Sequence, residues 1–145
     1  MLLADVNVLV EAYREDASSH SVCLAFLEGQ IASSEAYAYS ELVLSGFVRV
    51  VTHPRVFRTP TPLDQALEFV AAIREQPHAV AVAPGPRHWS IFESLCRDAR
   101  ARGNLVPDAY LAAIAIEHGC QWVTLDRDFT RFSGLRWRSP VRGSR

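Results

Sequence analysis

The sequence predicts an α/β fold built around a mainly parallel sheet. Three observations lead there. Short apolar runs suited to buried strands alternate with longer stretches of helical periodicity, the order that builds parallel sheets. The 145 residues fit one domain of common size, and 49% hydrophobic residues supply a sizeable core. No repeat, linker or low-complexity stretch divides the chain, so residues 1–145 are expected to form a single domain.

Leu2-Leu3-Ala4 reads as the first strand, closed by Asp5. Val6 to Tyr13 follows as a short helix. A second helix is expected from about Ser18 to Glu28, with Gly29 as its stop signal. Ile31 to Ser34 is the expected second strand. Ser40 to Thr52 carries valines that favour a strand, yet Leu42, Val43, Phe47, Val48 and Val51 share one helical face. Its length and Ser40 as N-cap favour helix.

His53 to Pro62 is a loop bearing prolines and arginines. Thr61-Pro62 opens the next helix as N-cap and first-turn proline, with Leu63, Ala66, Leu67, Val70 and Ile73 expected inward. Ala79 to Ala83 is the third strand, ended by Pro84-Gly85-Pro86. Arg87 to Arg102 is a helix with Trp89, Phe92, Leu95, Cys96 and Ala99 expected inward, ended by Gly103. Pro107 begins a helix that Gly119 ends; between them Tyr110 to Ile116 is apolar all round, so the helix is expected to be buried on most sides. Trp122-Val123-Thr124 is a buried strand, and a last strand is expected around Leu135-Arg136-Trp137.

Composition narrows the function. The net charge of −1 gives no global basic signal. All 15 basic residues are arginine, and Arg131, Arg136, Arg138, Arg142 and Arg145 cluster after the last acid. Arginine favours forked contacts with phosphate and carboxylate. Cys23, Cys96 and Cys120 form no CxxC pair and sit among apolar residues, as reduced core thiols do. No apolar run reaches the ~18 residues of a membrane span. The N-terminus lacks a basic stretch before its apolar residues, so a cytoplasmic location is expected.

Four acids carry the chemistry. Asp5, Glu41, Asp108 and Asp126 each stand at a junction of strand or loop with helix. Strand carboxyl ends gather on one edge of an open parallel sheet, so such acids can converge there. Each alone has a plain structural role: Asp5, Asp126 and Asp128 as helix caps, Asp108 and Glu41 as first-turn acids. Together they repel unless a cation holds them, and all-oxygen donors select a hard divalent metal of the kind used in phosphate chemistry. The histidines form no paired zinc pattern, and no phosphate-binding glycine loop or GxSxG elbow is present.

Leu3-Ala4-Asp5-Val6-Asn7-Val8-Leu9, Ser40-Glu41-Leu42, Val106-Pro107-Asp108-Ala109-Tyr110 and Thr124-Leu125-Asp126-Arg127-Asp128-Phe129 stand in this order along the chain. In that order they resemble the motifs of a PIN domain, specifically its VapC-type toxin branch. Phe132-Ser133-Gly134-Leu135-Arg136-Trp137 resembles the actinobacterial members of that branch. The resemblance implies a three-layer α/β/α sandwich and a metal-dependent endoribonuclease. It carries the acidic quartet onto Asp5, Glu41, Asp108 and Asp126, places support at Asn7 and Thr124, and leaves a weaker match at Asp128. Magnesium or manganese is the implied cofactor, RNA the substrate, and Arg127 and Arg131 are arginines placed to hold flanking phosphates. A small cognate antitoxin protein and a homodimer are the implied partners, the antitoxin docking in a groove of the early helices. Two other readings share these residues: a DNA or flap nuclease with the same metal site, and a binding module whose acids only cap helices.

Overall fold

A computed structural model of the chain describes residues 1–141. Its strands are β1 (Leu2–Ala4), β2 (Tyr37–Tyr39), β3 (Ala79–Ala81), β4 (Gln121–Val123) and β5 (Trp137–Arg138). They form one five-stranded sheet in the order β3-β2-β1-β4-β5, and every pairing is parallel. Leu3 sits opposite both Ala38 and Trp122, which makes β1 the central strand.

The helices are α1 (Val6–Tyr13), α2 (His20–Ala32), α3 (Glu41–Val51), α4 (Leu63–Arg74), α5 (His88–Ala99) and α6 (Leu105–Glu117), followed by a 3-10 turn at Arg127–Arg131. The chain winds outward from β1 through β2 to β3, then crosses back to β4 on the far side of β1. Right-handed crossovers place α1 to α4 on one face of the sheet and α5 with α6 on the other. That is the expected three-layer arrangement. Its direction reverses between β1 and β4, and the carboxyl ends beside such a reversal form a natural crevice.

The core follows from strand and helix burial. Leu3, Val123 and Trp122 from the sheet meet Phe47, Val8 and Ile114 from the helices, all essentially inaccessible. Tyr13, Phe47 and Phe69 pack as an aromatic group between α1, α3 and α4. Trp122 packs on Phe129, and Phe129 on Phe132, which fastens the 3-10 turn to the sheet. The indole N–H of Trp122 is buried without an acceptor, a cost of about 1–3 kcal/mol that the apolar packing of its ring must outweigh. Cys23 and Cys120 are buried thiols and Cys96 is partly buried, none in a disulfide.

Several expectations are corrected. The second strand is Tyr37–Tyr39, and Ile31 to Ser34 belongs to the end of α2 and the turn beyond. Gly29 does not stop that helix: it lies inside it with open space around its α-carbon, and Ile31 packs on the core two residues later. Thr61 does not cap α4. Its hydroxyl accepts from Arg14, and Pro62 is the capping residue. Leu63 and Leu67 face solvent at 56% and 48% exposure. Trp89, expected inward, is 60% exposed; its neighbours His88 and Phe92 are the residues of α5 that pack on Tyr110 of α6. α5 ends at Ala99, where Arg100 takes a left-handed conformation, ahead of the glycine expected to end it. α6 starts at Leu105, two residues before Pro107; a first-turn proline loses no helical bond. Arg142 and Arg145 lie outside the described residues.

Two clamps hold the connections. The Glu117 carboxylate, at the end of α6, accepts from the backbone N–H groups of Gly85 (2.7 Å) and Arg87 (2.9 Å), tying down the turn before α5. A β-carbon at Gly85 would stand 2.8 Å from that carboxylate, so any larger residue must push it aside. Arg14 donates to Asp16, to the Thr59 carbonyl and to Thr61 while lying over the Phe57 ring, which pins the loop between α3 and α4.

Candidate active site

The site stands on the carboxyl ends of β1 and β4. Asp5 follows β1 directly and caps α1, its Oδ1 accepting from the Val6 N–H at 2.7 Å. Its other oxygen accepts from the Thr124 hydroxyl at 2.7 Å and from the Asn7 amide at 3.2 Å. Thr124 follows β4 and is fully buried. Its oxygen also accepts from Asn7 at 3.2 Å and from the Asp126 N–H at 3.0 Å. The Asn7 carbonyl oxygen accepts from the Leu125 N–H at 3.1 Å, so one side chain bridges the two strand ends. Asp126 caps the 3-10 turn, accepting from the Asp128 N–H at 2.9 Å. The capping roles read from the sequence at Asp5 and Asp126 are therefore real. They coexist with a further property that capping alone does not produce.

That property is unbalanced negative charge. Burial first, with the Asp126 charge adding, pushes Asp5 up to about 6 despite the bonds it accepts. Asp108, in the first turn of α6, is also pushed up to about 6, by burial and then by the charges of Asp126, Asp5 and Asp128. Asp5, Asp126 and Asp128 thus all lie within electrostatic reach of Asp108. Among the described residues none of the four forms an ion pair. Glu41 stands apart from them: it opens α3 after β2, its side chain is 75% exposed, and Arg74 lies 3.9 Å away. Arg74, which also lies over the Tyr39 ring, had no signal in the sequence beyond its place near a helix end.

The donor set suits a hard cation in kind: carboxylate oxygens, two of them with raised proton affinity, and, among the described residues, no ion-paired protein cation to balance them. As placed, no three His, Cys, Asp or Glu side chains among the described residues form a ready-made metal cluster.

Comparison with known proteins agrees with the fold. The PIN domain family matches residues 2–135. Ribonuclease VapC25 of Mycobacterium tuberculosis is 42% identical over 140 residues, covering 97% of this chain and 99% of the relative. Ribonuclease VapC43 of the same organism is 44% identical over 143 residues, covering 99% and 97%. Among solved structures, the Mycobacterium tuberculosis toxin VapC20, described as cleaving the sarcin-ricin loop, superposes with a TM-score of 0.65 at 17% identity, covering 94% of this chain and 99% of that one. VapBC2 from Rickettsia felis, bound to a DNA fragment from its promoter, superposes with a TM-score of 0.66 at 17% identity, covering 95% and 97%.

Proposed function

The chain belongs to the PIN-domain family, and from that premise we propose that residues 1–145 work as one domain, an endoribonuclease that serves as the toxin of a VapC-type toxin–antitoxin pair. The observation that carries the proposal is the uncompensated group of aspartates at the ends of β1 and β4, on a chain more than 40% identical to named ribonucleases over nearly its whole length.

Asp5, Asp108 and Asp126 are the residues that would hold a magnesium or manganese ion, with Glu41 directly or through water and Asp128 beside them. The ion, when bound, supplies the Lewis acidity that phosphodiester hydrolysis requires. Asn7 and Thr124 hold Asp5 at a fixed angle and keep its second oxygen on the side shared with Asp126. The aspartates do not attack the phosphate; they organise charge around it.

A groove of about 450 Å³, lined by residues that include Val6, Leu42, Gly46, Phe92, Pro107 and Leu111, adjoins the site. Three of these residues neighbour Asp5, Glu41 and Asp108 in sequence. Such a surface suits the apolar face of an antitoxin segment or of a second copy of the chain. It is shared by α1 and α3 with α5 and α6, not confined to the early helices. No described helix is long and apolar enough to cross a membrane, and we place the activity in the cytoplasm, where its RNA substrate lies.

The test is incubation of purified protein with total RNA and with matched DNA, with magnesium or EDTA, followed by mapping of fragment ends. Discrete magnesium-dependent RNA cuts are expected. Cleavage of DNA in place of RNA, or of RNA in EDTA, overturns the proposal.

A further inference from the structure

A second charged feature lies where the end of α5, the start of α6 and the end of the 3-10 turn meet. A pocket of about 560 Å³ is lined by Ala99, Arg100, Arg102, Leu105 and Arg131. Three arginines, all exposed, contribute to its lining with no acid among the lining residues, and among the described residues none of the three forms an ion pair. Like charges gathered this way repel unless an anion sits between them.

Two details make the gathering specific. Arg100 has φ +50° and is the only non-glycine residue with a positive φ among the described residues. That backbone shape is one glycine adopts freely and a β-carbon opposes, and here it carries an arginine. Arg131 belongs to the arginine-rich C-terminal run. Of its neighbours in that run, Arg136 donates to the Gly119 carbonyl and Arg138 lies over the Phe26 ring. Arg131 has no such intramolecular task and lines the pocket.

The pocket also stands close to the aspartates. Leu105 opens α6 three residues before Asp108, about 5 Å along the helix axis. Arg131 closes the 3-10 turn that Asp126 caps, about 10 Å at the rise of such a turn.

We propose that Arg100, Arg102 and Arg131 form a subsite for a backbone phosphate of single-stranded RNA, one or two nucleotides from the bond that is cut. The inference rests on the ribonuclease reading and deepens it. Guanidinium forks match phosphate oxygens in pairs of hydrogen bonds, and three arginines around one open pocket suit an oxyanion. An acidic protein segment presents similar oxygens, but the short path from the pocket to the aspartates favours the substrate strand.

The experiment measures binding of a fluorescent single-stranded RNA in EDTA, across a salt series, so that binding is separated from cleavage. Arg100→Gly is the principal variant. It removes the guanidinium while relieving the left-handed backbone, so its melting temperature should hold or rise. Arg131→Ala is the second. Arg97→Ala, on α5 and paired with Glu93, controls for loss of surface charge. Arg100→Gly and Arg131→Ala are each expected to weaken binding by about fivefold or more and to lower the slope of log affinity against log salt by about 0.7, one single-strand phosphate contact. Arg97→Ala should leave that slope unchanged. Wild-type affinity and slope in both pocket variants overturn the subsite, while magnesium-dependent RNA cleavage by the wild type leaves the ribonuclease reading standing. A wild type that neither binds nor cuts RNA overturns both. Loss of polyglutamate binding in Arg100→Gly, with RNA binding intact, makes the pocket a protein site and also overturns the proposal.

Discussion

Replacing Asp108 by asparagine should stabilise the metal-free protein, and by an amount that depends on pH. Asp108 makes no hydrogen bond among those found in the site; what it contributes without metal is repulsion. Its carboxyl is pushed up from 3.8 to about 6, and about two pH units correspond to roughly 3 kcal/mol as a ceiling. Asp108 is only half-buried, so solvent screening reduces that to about 1 kcal/mol. A carboxyl whose pKa rises on folding favours the folded state while protonated. The contribution is present below about pH 4 and is lost as pH rises through about 6. Asp108→Asn removes this loss. By thermal melting in EDTA it should match the wild type near pH 4 and exceed it by about 2–4 °C near pH 7.5. Added manganese should raise the wild-type melting temperature and leave the variant nearly unmoved. A variant that melts lower than wild type at neutral pH, or shows the same difference at both pH values, would refute the charge argument.

Thr124→Val keeps the shape of a buried side chain but removes the hydroxyl that serves Asp5, Asn7 and Asp126. It should cost about 1–3 kcal/mol in denaturant melts and about 10–100-fold in cleavage, and full activity would show that Asp5 needs no such support. Asp5→Asn should abolish cleavage with the circular dichroism spectrum retained; an active variant would remove Asp5 from the site. Magnesium or manganese should restore EDTA-treated protein and zinc should serve poorly, because the ligands are hard oxygens; metal reconstitution followed by an RNA cleavage assay decides it. Gly85→Ala should lower stability by about 1–3 kcal/mol, since the new methyl group displaces the Glu117 carboxylate from two backbone N–H groups, and an unchanged melting temperature would deny the clamp.

The parts of this molecule legible in the sequence are those where one residue breaks a strong local pattern. Asp5 interrupts an apolar run and follows β1 directly, and Asp108 stands in the first turn of α6 ahead of its long apolar stretch. The strands around them are also clear, because Leu2-Leu3-Ala4 and Trp122-Val123 are buried on both faces. Tyr37-Ala38-Tyr39 was illegible for the opposite reason. Three residues give no measurable period, and Gly29 just upstream imitated a helix stop. The same substitution of a louder signal for a quieter one hid Arg100: Gly103 stands three residues on and looks like the natural terminator. Thr61 was misread because a cap is a local inference, while its actual partner, Arg14, arrives from another helix. The placement of Glu41 beside Arg74 likewise depends on how α3 and α4 cross, which no local pattern records.

The bond from Thr124 to Asp5 joins residues 119 positions apart. During synthesis the chain therefore carries its first aspartate for most of its length without the groups that orient it. Asp108, Thr124 and Asp126 are all made in the last third, and the central strand β1 must wait for β4 to pair on its second edge. A growing chain shorter than about the position of Thr124 has no assembled site, and a ribosome making this protein is not exposed to a working nuclease at its own exit. Contacts of such long range also slow folding. That delay separates the end of translation from the onset of activity, an interval in which an antitoxin already present can reach the chain before the site closes.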